Sequence, residues 1–78
     1  MANIFLTDVT IHVDENMDKG TRTKLENDLR SQEGIVSVHF SEKTPHLVVV
    51  TYDPDHARSK DVLKVVLGDH LHGELIGL

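Results

Sequence analysis

Apolar and polar residues alternate from Val9 to Asp14, with Val9, Ile11 and Val13 on one side and Thr10, His12 and Asp14 on the other. That period of two marks a half-buried strand. From about Lys19 the period lengthens. Arg22, Leu25 and Leu29 recur at helical spacing, and Gly34 supplies a left-handed stop. The pattern predicts a helix from Lys19 to about Gln32, with Asp18 as its N-cap. Ile35 to Phe40 alternates again, placing Val36, Val38 and Phe40 to one side. Ser41–His46 reads as a turn, because the residue before Pro45 is pushed away from helix. Leu47–Tyr52 is the most apolar segment and predicts a strand central in a sheet, with Val48, Val50 and Tyr52 toward the core. Asp53-Pro54-Asp55 breaks it. Ser59 then caps a second helix, Lys60–Gly68, that buries Val62, Leu63, Val66 and Leu67. Leu71–Ile76 is a short fourth strand whose register the pattern leaves open. Residues 1–8 either form a tail or extend the first strand backwards. In the second case Phe5 lies on the core side with Val9, and Ile4 and Leu6 point outward with Thr10.

Strand, helix, strand, strand, helix, strand at this length predicts an α+β, ferredoxin-like βαββαβ sandwich: a four-stranded antiparallel sheet with two helices on one face. Strands 1 and 3 are then central, and strand 4 flanks strand 1. The opposite face is left open, carrying Thr10, His12, Ser37, His39, Val49 and Thr51, with His72 or its neighbours.

Four fragments carry a resemblance to a known family. They are HV at 12–13, the LExxL run from Leu25 to Leu29, GIVSV at 34–38, and YDP at 52–54 followed by Ser59 and an apolar helix. Together they resemble the heavy-metal-associated domain, the small module of copper chaperones and metal-pumping ATPases, over nearly the whole chain. That family's metal loop reads GMxCxxC between the first strand and first helix. Counting back from Leu25-Glu26, its two cysteine positions fall on Asp18 and Thr21, and this chain has no cysteine. A glycine-tyrosine pair usual before the last strand is replaced by Leu71-His72. The resemblance therefore implies the fold but not the thiolate copper site. It also implies protein partners, since domains of the family dock through the metal loop and first helix or pair sheet to sheet.

Composition narrows the function further. Seventy-eight residues make one domain, 1–78, near the lower limit for a core without disulfides or metal. A net charge of −5 argues against nucleic acid and anionic membrane as partners. No run approaches a membrane span and no cationic leader precedes the short apolar Ile4–Leu6, so a cytoplasmic location is expected. Protonating all six histidines would carry the net charge from −5 to +1. A solvated surface composition accounts for this better than an evolved pH response.

Soft metals need two thiolates on such a loop. In the degenerate loop Met17, Asp18 and Thr21 offer one thioether, one carboxylate and one hydroxyl, and Asp18 is better read as a helix cap. A harder site could use imidazoles: His12 and His72 as cross-strand neighbours, with Glu74 or Asp14 nearby, or the His70–His72 pair. Such ligands suit zinc, nickel or copper(II), so a divalent transition metal is the alternative to no cofactor. Lys19, Gly20 and Arg22 open a helix and could meet an anion or an acidic partner. No catalytic constellation is complete, and no enzymatic activity is expected. Asp53 and Asp55 read as turn formers. Acylphosphatases share the fold class, but Arg22 and Asn16 do not reproduce their arginine loop and partnering asparagine. The expected function is a small binding or adaptor module for a protein partner or for a second copy through Ile4, Leu6 and Val49. Metal binding through histidine and carboxylate is the runner-up.

Overall fold

A computed structural model describes residues 5–76. Its elements run β1 (Thr7–Val13), α1 (Lys19–Arg30), β2 (Ile35–Ser41), β3 (Thr44–Tyr52), α2 (Ser59–Gly68) and β4 (Gly73–Ile76). The strands form one antiparallel sheet in the order β2-β3-β1-β4. Strands 1 and 3 are central and β4 flanks β1, as the ferredoxin-like reading requires. Alternation along β1 and β3 buries Val9, Ile11, Val13, Val48, Val50 and Tyr52 against the helices, where Leu25, Leu29, Val62 and Val66 close the core.

Several boundaries move, each for a local reason. Helix α1 ends at Arg30, not Gln32. The Ser31 hydroxyl donates to Asp28 O at 2.7 Å and closes the last turn, and Gly34 then takes the chain through φ 89°. Val36 does not face the core. A register shift between Ile35 and Ser37 turns it outward, 54% exposed, while Ile35 packs on the core instead. The β2–β3 turn shrinks to Glu42-Lys43. Strand β3 starts at Thr44, because Pro45 lies beyond the last β1 rung, His12 opposite Leu47, where no ladder N–H is needed.

Phe5 is 77% exposed and Leu6 47%, so the core alternation begins at Val9 and does not extend back to Phe5. Ile4 lies outside the described residues. In α2 the buried stripe is Val62 and Val66, with Leu63 partly covered. Leu67 falls off that stripe at 50% exposure. Arg58, not Ser59, is the N-cap of α2, and its backbone N–H donates to Asp61 Oδ2 at 3.1 Å. Strand β4 begins two residues later than expected. Leu71 is buried before it, and at Gly73 a Cβ would stand 3.0 Å from Val66 Cγ1 and 3.1 Å from Ile11 Cγ2. That close approach of strand to helix favours glycine, because a Cβ there would push both side chains aside by a few tenths of an ångström.

Candidate functional site

One pole of the sandwich gathers most of the side-chain chemistry. The end of β1, the loop Asp14–Asp18, the start of β3 and the segment before β4 meet there, because the outer two strands and the following loops all turn at the same end of the central pair. Two backbone contacts fix the arrangement: Asp14 N–H donates to His72 O at 2.7 Å, and the His46 ring approaches Val13 O at 2.8 Å through Nδ1.

The loop itself is closed by its own hydrogen bonds. Asp18 Oδ1 accepts the Thr21 N–H at 2.7 Å and caps α1. That donation, the Thr21 hydroxyl and the nearby Arg22 guanidinium hold the Asp18 carboxyl below its ordinary range. The two positions that would carry thiolates are thus bonded to each other as a helix cap. Asp18 also places its negative charge where an anion would approach Lys19, Gly20 and Arg22. Met17 packs against the core rim. Two hard oxygen groups engaged in a cap, with a packed thioether beside them, do not fit a soft monovalent ion such as copper(I).

Glu15 clasps the loop to the β4 side. Its carboxylate accepts the His72 backbone N–H at 2.7 Å and pairs with His72 Nδ1 at 2.5 Å. The bonds from His72, backbone first, lower the Glu15 pKa. In return Glu15, with a smaller contribution from Asp14, raises that of His72.

Beside the clasp lies a second histidine pair. The rings of His12 and His46 stack with centroids 5.6 Å apart and planes 20° from parallel. Asp14 Oδ1 is 3.4 Å from His12 Nδ1, a ring nitrogen that is buried and makes no hydrogen bond. On its other flank His12 is the cross-strand neighbour of Glu74.

The structure therefore brings together His12, His72, Asp14 and Glu74 at or next to this pole, and adds His46 and Glu15. It pairs His12 with Glu74 across the strands, not with His72, which precedes β4. His70 takes no part in these contacts. It adopts the left-handed φ of 62° that ends α2, where its N–H donates to Leu67 O. Among the described residues no three His, Asp or Glu side chains already converge on one point. The sequence pattern places His46 in a turn, whereas it lies in β3; its position one residue after Pro45, leading into the apolar run, is the available signal.

Between α1 and α2 an open cleft of about 400 Å³ is lined by Asp28, Asp61, Lys64 and Asp69 among others. Lys24 ties two of its acids together, donating to Asp28 Oδ2 and Asp69 Oδ1 at 2.8 Å each, and its pKa rises accordingly. The charged residues of α1 are partly engaged in such pairs; Arg30 also approaches Glu26, at 3.5 Å. Among the described residues no helix is long and apolar enough to cross a membrane.

Fold and pole together define a ferredoxin-like βαββαβ domain that contains no cysteine. The same fold occurs in oxidized MerP from Ralstonia metallidurans CH34 (TM-score 0.83, 16% identity, covering 94% of this chain and 100% of that one). It occurs in the yeast copper transporter domain CCC2A (0.80, 17%, 90% and 94%) and in a copper binding domain from HMA7, a P-type ATPase (0.81, 13%, 90% and 93%). At these identities the likeness is one of fold. No curated protein matches the chain in sequence. Residues 2–69 match the family of the BRCA1 C Terminus (BRCT) domain, and on that match the chain belongs to the BRCT family. Sequence family and structural neighbours thus carry different names, and the fold is the one found in the structural neighbours.

Proposed function

We propose that this chain is a small, non-catalytic binding module that keeps a metal-domain scaffold but works without thiolate chemistry. One observation carries the reading: Asp18 and Thr21, at the two ligand positions, are spent on capping α1. A loop closed in this way presents a fixed shape and charge to a protein partner, which is what an adaptor needs. Val49, half-buried on the open sheet face, and the exposed Leu6 offer apolar area for such a partner or for a second copy. The single-domain span 1–78 belongs to this proposal.

Two measurements test it. Copper(I) titrated against a competing chelator should show no binding by the chain, and a stable copper(I) complex would overturn the reading. Sedimentation equilibrium at rising concentration then separates the partners: self-association supports a second copy, whereas a monodisperse monomer removes the homodimer and leaves a different protein.

A second reading is favoured by the cross-strand placement of His12 and Glu74. There the open face binds a divalent transition metal through imidazole and carboxylate. His72 and His70 would be its further ligands on ligand type alone.

A further inference from the structure

The geometry points to a divalent transition-metal site formed by His12, His46 and Glu74 at the loop-bearing end of the sheet. It rests on the second reading above and replaces His70 and His72 in the ligand set with His46.

Three observations carry it. The first is the separation of the rings. Two imidazoles bound through nitrogen to one tetrahedral ion, with metal–nitrogen distances of about 2.0–2.1 Å, place their ring centroids roughly 5 Å apart. The His12 and His46 centroids are 5.6 Å apart. The rings therefore need to turn out of their stack, not to travel.

The second is the hydrogen bond at His46. Val13 O is a carbonyl and can only accept, so His46 Nδ1 must carry the proton. In the neutral ring this leaves the lone pair on Nε2, the arrangement in which a backbone carbonyl orients a metal-binding histidine. His72 is held through Nδ1 in the same sense, by the Glu15 carboxylate, but it precedes β4, and the cross-strand partner of His12 is Glu74.

The third is the charge around His12. Glu74 lies directly across the β1–β4 ladder, where paired Cβ atoms stand about 4.5–5.5 Å apart. Asp14 is 3.4 Å from His12 Nδ1 and can accept that proton once the ring turns to offer Nε2. The preformed part of the site is the His12–His46 pair. Rotation of Glu74, an exposed residue, supplies the carboxylate. Two imidazoles and one carboxylate with open positions suit zinc or copper(II) and not calcium or magnesium.

The test is titration of the full chain with zinc chloride and with copper(II) chloride, each followed by calorimetry, with imidazole NMR for zinc and thermal unfolding for both. The expected result is saturable one-to-one binding, with zinc moving the His12 and His46 ring resonances. His46→Gln should weaken it by about tenfold or more, as should His12→Gln, a partly exposed position where folding is not at stake. His70→Gln and His72→Gln should bind as the parent does. If the parent shows no saturable binding, both this inference and the metal reading fall. If the parent binds but His46→Gln and His12→Gln bind equally well, the metal reading stands and this ligand set is wrong. Selective loss in His72→Gln would overturn it in favour of the clasp.

Discussion

Replacing Gly34 by alanine tests the junction that fixes how β2 follows α1. The residue has φ 89°, and an added Cβ would stand 2.8 Å from Ala57 Cβ, 2.9 Å from His56 C and 3.0 Å from Ala57 N. Left-handed backbone costs an alanine about 1–2 kcal/mol. The overlap is with backbone and with a Cβ fixed to it, neither of which can rotate aside as a flexible side chain would, and overpacking of this kind costs about 1–3 kcal/mol. The total is about 2–5 kcal/mol, against roughly 4–12 kcal/mol for the whole stability of a chain this long. Gly34 O also accepts the Asp53 N–H at 2.8 Å, so any shift is passed into the loop that leads to α2. Thermal unfolding followed by circular dichroism should show a midpoint lower by more than about 10 °C. Gly68→Ala is the control. Nothing lies within 4 Å of its added Cβ and its φ is not left-handed, so a gain of about 0.4–1 kcal/mol is expected. A Gly34→Ala protein that melts within about 3 °C of the parent would refute the reasoning.

Two further predictions concern the pole. The double substitution Asp18→Cys and Thr21→Cys should confer copper(I) binding that competes with a chelator, because the cap already brings the side chain at 18 to within 2.7 Å of residue 21. It should also cost about 1 kcal/mol of stability through loss of the cap; failure to bind copper(I) in a folded variant would show that the loop has lost more than its ligands. The Glu15–His72 clasp should give a pH window. The pKa of Glu15 is lowered, so its contribution is present above its ordinary 4.5 and is lost as pH falls through the depressed value. His72 is raised, so its contribution is present below its ordinary 6.5 and is lost as pH rises through the elevated value. The clasp is complete between those two ordinary values, and by NMR the His72 midpoint should lie above 6.5 and fall toward it in Glu15→Gln.

What could be read in the chain, and what could not, follows from how local each signal is. The alternation of Val9, Ile11 and Val13 and of Val48, Val50 and Tyr52 survives into the structure because both strands are central, with covered positions along their length. Asp18 as cap was legible because capping depends on three residues of one chain segment. Val36 and Phe5 were misplaced because extending a period of two assumes no bulge and no strand end, and both are decided by partners elsewhere. His46 was hidden for the same reason. Its role depends on Val13 and His12, more than thirty residues earlier, and on Pro45 hanging past the end of the β1 ladder.

The same asymmetry separates the candidate site from the loop that first draws attention. In that loop the polar groups find partners within the domain: Asp18 with Thr21, Glu15 with His72, Asp14 N–H with His72 O. A group bonded inside the protein must give up that bond before it can serve a ligand. On the adjoining sheet face His12 Nδ1 is buried and unbonded, and His46 is held with its second nitrogen uncommitted by that bond. A ring whose buried nitrogen has no partner loses no hydrogen bond when it turns toward a ligand. With no cysteine in the chain, the loop serves as a structural clasp, and the unbonded imidazole nitrogen lies on the strand that precedes it.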